Sequence, residues 1–374
     1  MPTESDIHTA LTSVLDPEIR KPITDLNMVE SISVGDDGAV SVSVLLTIPG
    51  CPMKEQLTRD VTAAVSRVEG VRSVDVQLGV MSDAQRAELR TALRGNAPTN
   101  EIPFAQPGSR TRVYAVSSGK GGVGKSSVTV NLAAALAQRG LAVGVVDADI
   151  YGFSVPRMLG VTGKPTQVGE MMIPPVAHGV KVISIGMFTP GNTAVVWRGP
   201  MLHRALQQFL ADFFWGDLDV LLMDLPPGTG DIAISVAQLV PSAELLVVTT
   251  PQLAAREVAE RAGSIALQTH QQIVGVVENM SWLELPDGSR MELFGSGGGQ
   301  AVADSLAAAT GTRVPLLGQI PIDQTVRECG DVGAPVVLTA PDSPASVALR
   351  GVADVLAARQ GSLVGRSLGL TPAR

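Results

Sequence analysis

The chain has 374 residues, of which 45% are hydrophobic, 17% charged and 3% aromatic, and its formal net charge is −8. These proportions exclude a disordered polymer and point to about two or three globular domains with aliphatic cores. The acidic balance argues against broad electrostatic binding of nucleic acid or of an anionic membrane, and no run reaches the roughly 20 apolar residues of a membrane span.

Residues 1–10 carry acids and no apolar stretch, so no secretory signal is expected. Two cysteines, Cys51 and Cys329, are too few for a disulfide framework, and the expected compartment is a reducing cytoplasm.

Residues 1–80 read as a small α+β domain. Ile32 and Val34, the turn Asp37-Gly38, and the alternation Val40, Val42, Val44, Leu46, Ile48 predict a hairpin. Met53, Leu57, Val61, Ala64, Val65 and Val68 recur at helical spacing up to Gly70, and Val74, Val76, Leu78 and Val80 alternate again. Residues 81–110 change character: a short amphipathic stretch, 84–93, precedes Gly95-Asn96-Ala97-Pro98 and Pro107-Gly108-Ser109, which is linker chemistry. From 111 to 374 strands alternate with helices. Strands are predicted at 112–118, 141–147, 180–185, 219–224, 243–249, 273–278 and 314–320. Several are continuous apolar runs, the mark of strands covered on both faces of a mostly parallel sheet. The fold class is therefore α/β, a doubly wound, mostly parallel sheet preceded by the small α+β domain.

The motif Gly119-Lys120-Gly121-Gly122-Val123-Gly124-Lys125-Ser126, followed by Ser127, fits a phosphate-binding P-loop. A strand precedes it and a helix follows, so backbone N–H groups and the positive helix end converge on one point. Lys125 is the cation for the phosphates and Ser126 the hydroxyl ligand for Mg²⁺. Asp224 ends an apolar strand before Leu225-Pro226-Pro227-Gly228-Thr229-Gly230-Asp231 and reads as a second magnesium ligand. Asp147 and Asp149 end another strand, two apart and on one side if the strand persists. Asp147 is read as the magnesium-side acid and Asp149 as the acid orienting the attacking water; a turn cap is the other reading of either. Lys120, inside the glycine loop, is either a solvated lysine or a cation that reaches a partner's nucleotide in trans. Asn279 at a strand end, with Pro321-Ile322-Asp323 after the last strand, is placed to meet an adenine base.

Longer strings narrow the reading. Asp147-Ala148-Asp149-Ile150-Tyr151-Gly152-Phe153-Ser154-Val155-Pro156, Trp197-Arg198-Gly199-Pro200-Met201, Glu278-Asn279-Met280-Ser281 and Phe294-Gly295-Ser296-Gly297-Gly298-Gly299 resemble the Mrp/ApbC iron–sulfur carriers. These form a branch of the deviant Walker A ATPases that include MinD, ParA and the nitrogenase iron protein. The resemblance spans residues 112–340. Asp16-Pro17-Glu18 and Thr47-Ile48-Pro49-Gly50-Cys51-Pro52 resemble the small domain of iron–sulfur assembly factors.

The resemblance implies an ATP-hydrolysing, Mg²⁺-dependent homodimer that carries clusters to apoprotein clients and meets iron–sulfur assembly proteins, without nucleic acid or membrane. It also implies Lys120 as the signature lysine, Ser126 and Asp224 around Mg²⁺, and Asn279 near adenine. One departure matters. Family members carry a Cys-x-x-Cys pair shortly after Glu-Asn-Met-Ser, whereas this chain has Trp282-Leu283-Glu284-Leu285-Pro286-Asp287-Gly288-Ser289, read as a hairpin between two short strands.

Cys51 before Pro52 reads as a helix N-cap, where the dipole favours a thiolate and a transient cluster ligand; a buried small hydrophobe is the alternative. Cys329 reads as incidental. The competing function is an ATP-switched interaction protein without its own cluster, either an adaptor or a MinD/ParA-like organiser. The organiser would want a basic tail, and residues 361–374 offer only Arg366 and Arg374.

Overall fold

A computed structural model describes residues 2–47, 53–94, 101–106, 108–149, 152–168, 171–188, 199–228, 231–252, 263–264 and 266–359. Cys51, Trp197 and Arg198 lie outside them. The chain divides into two compact units.

The first unit is Met1–Glu101 with Gly163–Val176 and Asp212–Gly216. It contains α1 (Glu4–Leu11), β1 (Val29–Val34), β2 (Ala39–Leu46), α2 (Lys54–Val65), β3 (Ser73–Val80) and α3 (Asp83–Arg94). Helix α1 opens on a reciprocal cap between Thr3 and Asp6. Strands β1 and β2 pair antiparallel around the Asp37-Gly38 turn, and β2 pairs in parallel with β3. Because β2 and β3 run the same way, α2 is the crossover between them.

Val40, Val42 and Val44 on one face of β2 bury against Ile7, Leu11, Leu57 and Val61. The expected linker begins inside this unit, since Met81 and Leu89 join the same core. So do Val168, Met171 and Ile173 of the antiparallel pair β6 (Thr166–Val168) and β7 (Met171–Ile173), and Phe214. Those segments come from the later part of the chain, which the composition assigns to the larger domain; their apolar side chains find their partners in the smaller core. Helix α2 starts at Lys54 with Met53 as its N-cap. The N-cap position predicted for Cys51 is thus taken two residues later.

The second unit is built on β4 (Arg112–Ser117), α4 (Lys125–Gln138), β5 (Val143–Asp147), α5 (Val155–Met158), β8 (Val176–Ala177), β9 (Val180–Ser184), α6 (Gly199–Ala211), β10 (Val220–Asp224), α7 (Asp231–Leu239) and β11 (Glu244–Thr249). After these come β12 (Ile273–Glu284), β13 (Arg290–Met291), α8 (Gly298–Thr310), β14 (Leu316–Ile322), α9 (Gln324–Asp331), α10 (Val336–Thr339) and α11 (Pro344–Ala358). The main sheet runs β13-β12-β11-β4-β10-β5-β9-β8, with β14 also paired to β12. The pairings from β12 to β9 and that of β14 with β12 are parallel, and β12 with β13 is antiparallel.

The apolar runs therefore sit in the middle of a mostly parallel sheet, as their composition predicts. Strand β12 continues to Glu284 and turns back through β13, pairing Leu283 with Met291. The expected two short strands are one long strand and a two-residue return. Asp287 accepts from Ser289 N–H (2.9 Å) in that turn.

Parallel register sets the site. Asp224 at the end of β10 lies level with Val116 of β4 on one side and with Asp147 of β5 on the other. Helix α4 packs on this sheet with Leu132 and Leu136 fully buried beside Leu349, Val352 and Leu356 of α11. Replacing Leu132 by Ala leaves a cavity in this layer. The expected cost is about 2–5 kcal/mol of unfolding free energy, read as a lower urea midpoint at unchanged slope.

Candidate functional site

Between β4 and α4 the chain makes the glycine loop. Gly124 caps α4 in the left-handed region (φ +77°), which glycine adopts freely. A Cβ there would also run into the Asn279 side-chain nitrogen. That nitrogen donates to the Val123 carbonyl at 2.8 Å, so β12 holds the loop from behind. The backbone after β10 is fixed as well: Leu225 N–H donates to Val116 O (3.0 Å) and Gly228 N–H to Ser118 O (2.9 Å).

The first helical turn of α4 carries the charge. Lys125 and Asp224 are both buried, and the ammonium lies 2.7 Å from Asp224 Oδ1 and 3.7 Å from Asp149 Oδ2. Ser126 Oγ donates to Asp224 Oδ2 at 2.5 Å and Thr129 Oγ1 to Oδ1 at 2.9 Å. Asp147 is fully buried and accepts from Asp149 N–H (3.2 Å), Val155 N–H (3.4 Å) and Ser184 Oγ (3.0 Å).

Burial, and next the neighbouring Asp224 carboxylate, push the Asp147 carboxyl up from 3.8 to about 8, against the hydrogen bonds from Ser184 and Asp149 and the charge of Lys125. Strand β5 stops at Asp147. The extended two-residue geometry expected for Asp147 and Asp149 is replaced by a turn, in which the Asp149 N–H folds back onto the Asp147 carboxylate.

On the other side of the loop lies a cleft of about 1080 Å³, lined by Gly124, Ser127, Asn279, Pro321, Ile322 and Asp323 among others. Asp323 caps α9 by accepting from Thr325 N–H at 2.9 Å. Its Oδ2 is buried and has no hydrogen-bond partner among the described residues. An orphaned acceptor of this kind suits a ligand's N–H, such as the exocyclic amine of a base.

Lys120 points elsewhere: its ammonium donates to Gln252 Oε1. Cys329 is half-buried, packs against the core of the second unit and lies with its sulfur 3.1 Å from Thr339 Oγ1. Among the described residues no group of three His, Cys, Asp or Glu side chains is placed to hold a metal by itself. The hairpin that stands where the family pair of cysteines is expected carries Arg290 stacked 4.0 Å over the Trp282 ring.

The structure thus gathers Gly119 to Ser127, Asp147, Asp149, Asp224 and Asn279 around one loop, and leaves Lys120 turned to Gln252. Thr129, Ser184 and Gln252 were not singled out from sequence. Thr129 had a signal, since it stands one helical turn after Lys125 and so on the same face. Ser184 ends the distant strand β9 and Gln252 lies on the turn after β11, and neither had one.

The family model described as NUBPL iron-transfer P-loop NTPase matches residues 109–357. This chain belongs to that family. A second family model, described as iron-sulfur cluster assembly protein, matches residues 4–78. An iron-sulfur cluster carrier protein of Mycobacterium tuberculosis is 66% identical over 368 residues, covering 98% of this chain and 97% of that one. The iron-sulfur cluster carrier protein of Deinococcus radiodurans is 45% identical over 351 residues, covering 93% of each. Among solved structures, a nucleotide-binding protein of Archaeoglobus fulgidus in complex with ADP is similar at a TM-score of 0.56 and 33% identity, covering 66% of this chain and 96% of that one. A P-loop NTPase fold with a mostly parallel sheet is common to the family description and to this geometry. No helix among the described residues is long and apolar enough to cross a membrane.

The raised Asp147 carboxyl has a consequence for the nucleotide-free protein. Between pH about 4 and about 8 the unfolded chain ionises this group while the folded chain keeps its proton. Stability therefore falls as pH rises through that window. Asp147→Asn removes the titration, and its urea midpoint, measured without nucleotide or Mg²⁺, is expected to fall less steeply from pH 5 to 8 than that of the parent.

Proposed function

We propose that this chain is a Mg²⁺-dependent ATPase that works as a homodimer and carries iron–sulfur clusters to apoprotein clients in the cytoplasm. The observation that carries the nucleotide part is the cluster of Lys125, Ser126, Thr129 and Asp224 at the end of the glycine loop. The carrier part is supported by the names of relatives that match along nearly the whole chain.

The donor set is all oxygen, which suits a hard divalent cation. Ser126 and Asp224 would hold Mg²⁺, with the Asp147 carboxyl level with Asp224 on the next strand. Bound there, the cation would neutralise charge on the phosphate oxygens. The loop amides from Gly119 to Ser127 and the Lys125 ammonium bind and orient the triphosphate. Asp149 lies within 3.7 Å of Lys125 and is the acid proposed to orient the attacking water. Asn279 and Asp323 read the base. Lys120 acts on the partner's nucleotide, where a cation stabilises charge developing in phosphoryl transfer.

The two lysines separate these roles. Lys125→Ala is expected to weaken ATP binding at least tenfold in calorimetry. Lys120→Ala is expected to bind ATP within about threefold of the parent while hydrolysing it at least about a hundredfold more slowly. Equal losses of affinity and rate in Lys120→Ala would refute the trans role.

The cluster is cargo, and its ligands are thiolates. Cys51 is the proposed ligand, one from each protomer. The absence of a Cys-x-x-Cys in the sequence favours a second reading, an ATP-switched protein that docks clients without holding a cluster. Anaerobic reconstitution with iron and sulfide decides between them. The carrier reading expects a charge-transfer band near the visible range that is lost in Cys51→Ala and kept in Cys329→Ala. No band in the parent, with ATP hydrolysis intact, favours the second reading.

A further inference from the structure

The Lys120 ammonium is held by one side chain of its own protomer, Gln252 Oε1. Gln252 stands three residues after the end of β11, on the turn Thr250-Pro251-Gln252. That turn is pinned from behind. A Cβ on Gly298, the first residue of α8, would lie 2.5 Å from Pro251 O and 2.8 Å from Thr250 O, so the two backbones are in direct contact. The start of α8 is fixed in turn by buried Glu278, which accepts from Gly299 N–H at 2.5 Å and from Gln319 Nε2 at 2.8 Å. Gln252 is thus presented from a braced turn.

We propose that Gln252 is a positioning residue that parks Lys120 in cis in the free protomer. The bond is exchanged for phosphate oxygens of a second, ATP-loaded copy of this chain. The inference rests on the reading of Lys120 as a trans-acting lysine. The chemistry of the acceptor suits a releasable hold. A neutral amide oxygen binds an ammonium less strongly than a phosphate or a carboxylate does. Phosphate therefore wins the cation, and in its absence Gln252 keeps it from the acids of its own site. A carboxylate at the same position would compete with phosphate and hold the lysine back.

The test is ATP hydrolysis as a function of protein concentration, which reads dimer formation. Gln252→Glu is expected to raise the protein concentration giving half-maximal specific activity by about fivefold or more, and Gln252→Ala to lower it by about two- to fivefold. Both effects are expected to vanish in a Lys120→Ala background, because a latch without its bolt has nothing to hold. A merely structural role would persist in that background, and persistence overturns the proposal. So does a half-maximal concentration within twofold of the parent in both Gln252 variants while Lys120→Ala still lowers hydrolysis; that outcome leaves the trans-lysine reading standing. Parent-like hydrolysis by Lys120→Ala removes that reading and this one together.

Discussion

The site depends on a buried ion pair between Lys125 and Asp224. Both ions have left water, a step that costs several kcal/mol each before any attraction is counted. The pair stands because Ser126 and Thr129 hydroxyls complete the Asp224 oxygens. Asp147, one strand over, is left with no cation of its own and keeps its proton. This arrangement sets the terms on which nucleotide enters. A triphosphate that drew Lys125 away by itself would leave Asp224 buried and uncompensated, a loss of about 3–5 kcal/mol. The charge balance favours triphosphate accompanied by a divalent cation, and the magnesium dependence proposed above would then follow from burial rather than from any additional ligand.

Strand β12 shows how the sheet transmits that local arrangement. Neighbouring residues of a strand face opposite ways. Glu278 goes to the start of α8, and Asn279 goes to the glycine loop. The start of α8 touches the turn after β11, and that turn reaches Lys120. These contacts close a ring around the loop through backbone and the side chains of Asn279, Glu278, Gln252 and Lys120. Glycine is required at 299 because a Cβ there would lie 2.7 Å from Glu278 Cβ. Gly298 and Gly299 thus form a close-packed joint.

Local chemistry was legible in the sequence because it is written locally. The loop, Lys125 and Ser126 occupy eight consecutive residues, and Asp224 ends a run of apolar residues that only a buried strand explains. Seven strands of the main sheet were placed within a few residues for the same reason, apart from the extension of β12 to Glu284; the two-residue strands β8 and β13 were not. What escaped depends on contacts between distant segments. Asp149 reaches Lys125 through a turn that no spacing encodes. Residues 166–173 find their core in the first unit, because Val168, Met171 and Ile173 pack there, and no composition shift marks the excursion. Gln252 carries no motif; its meaning appears only once β11 lies beside β4.

The cysteine count bears on what kind of carrier the proposed reading describes. Each copy has two thiols, and Cys329 is packed against an apolar core beside Thr339. A cluster held by Cys51 from each of two protomers would have two protein thiolates where a stable cluster takes four. The remaining iron positions would be open to exogenous ligands or to the thiols of a client. Under-ligation is a defect for storage, but for transfer it lowers the number of bonds a client must replace. ATP-controlled association would then govern the cluster directly, because separating the protomers separates its two ligands.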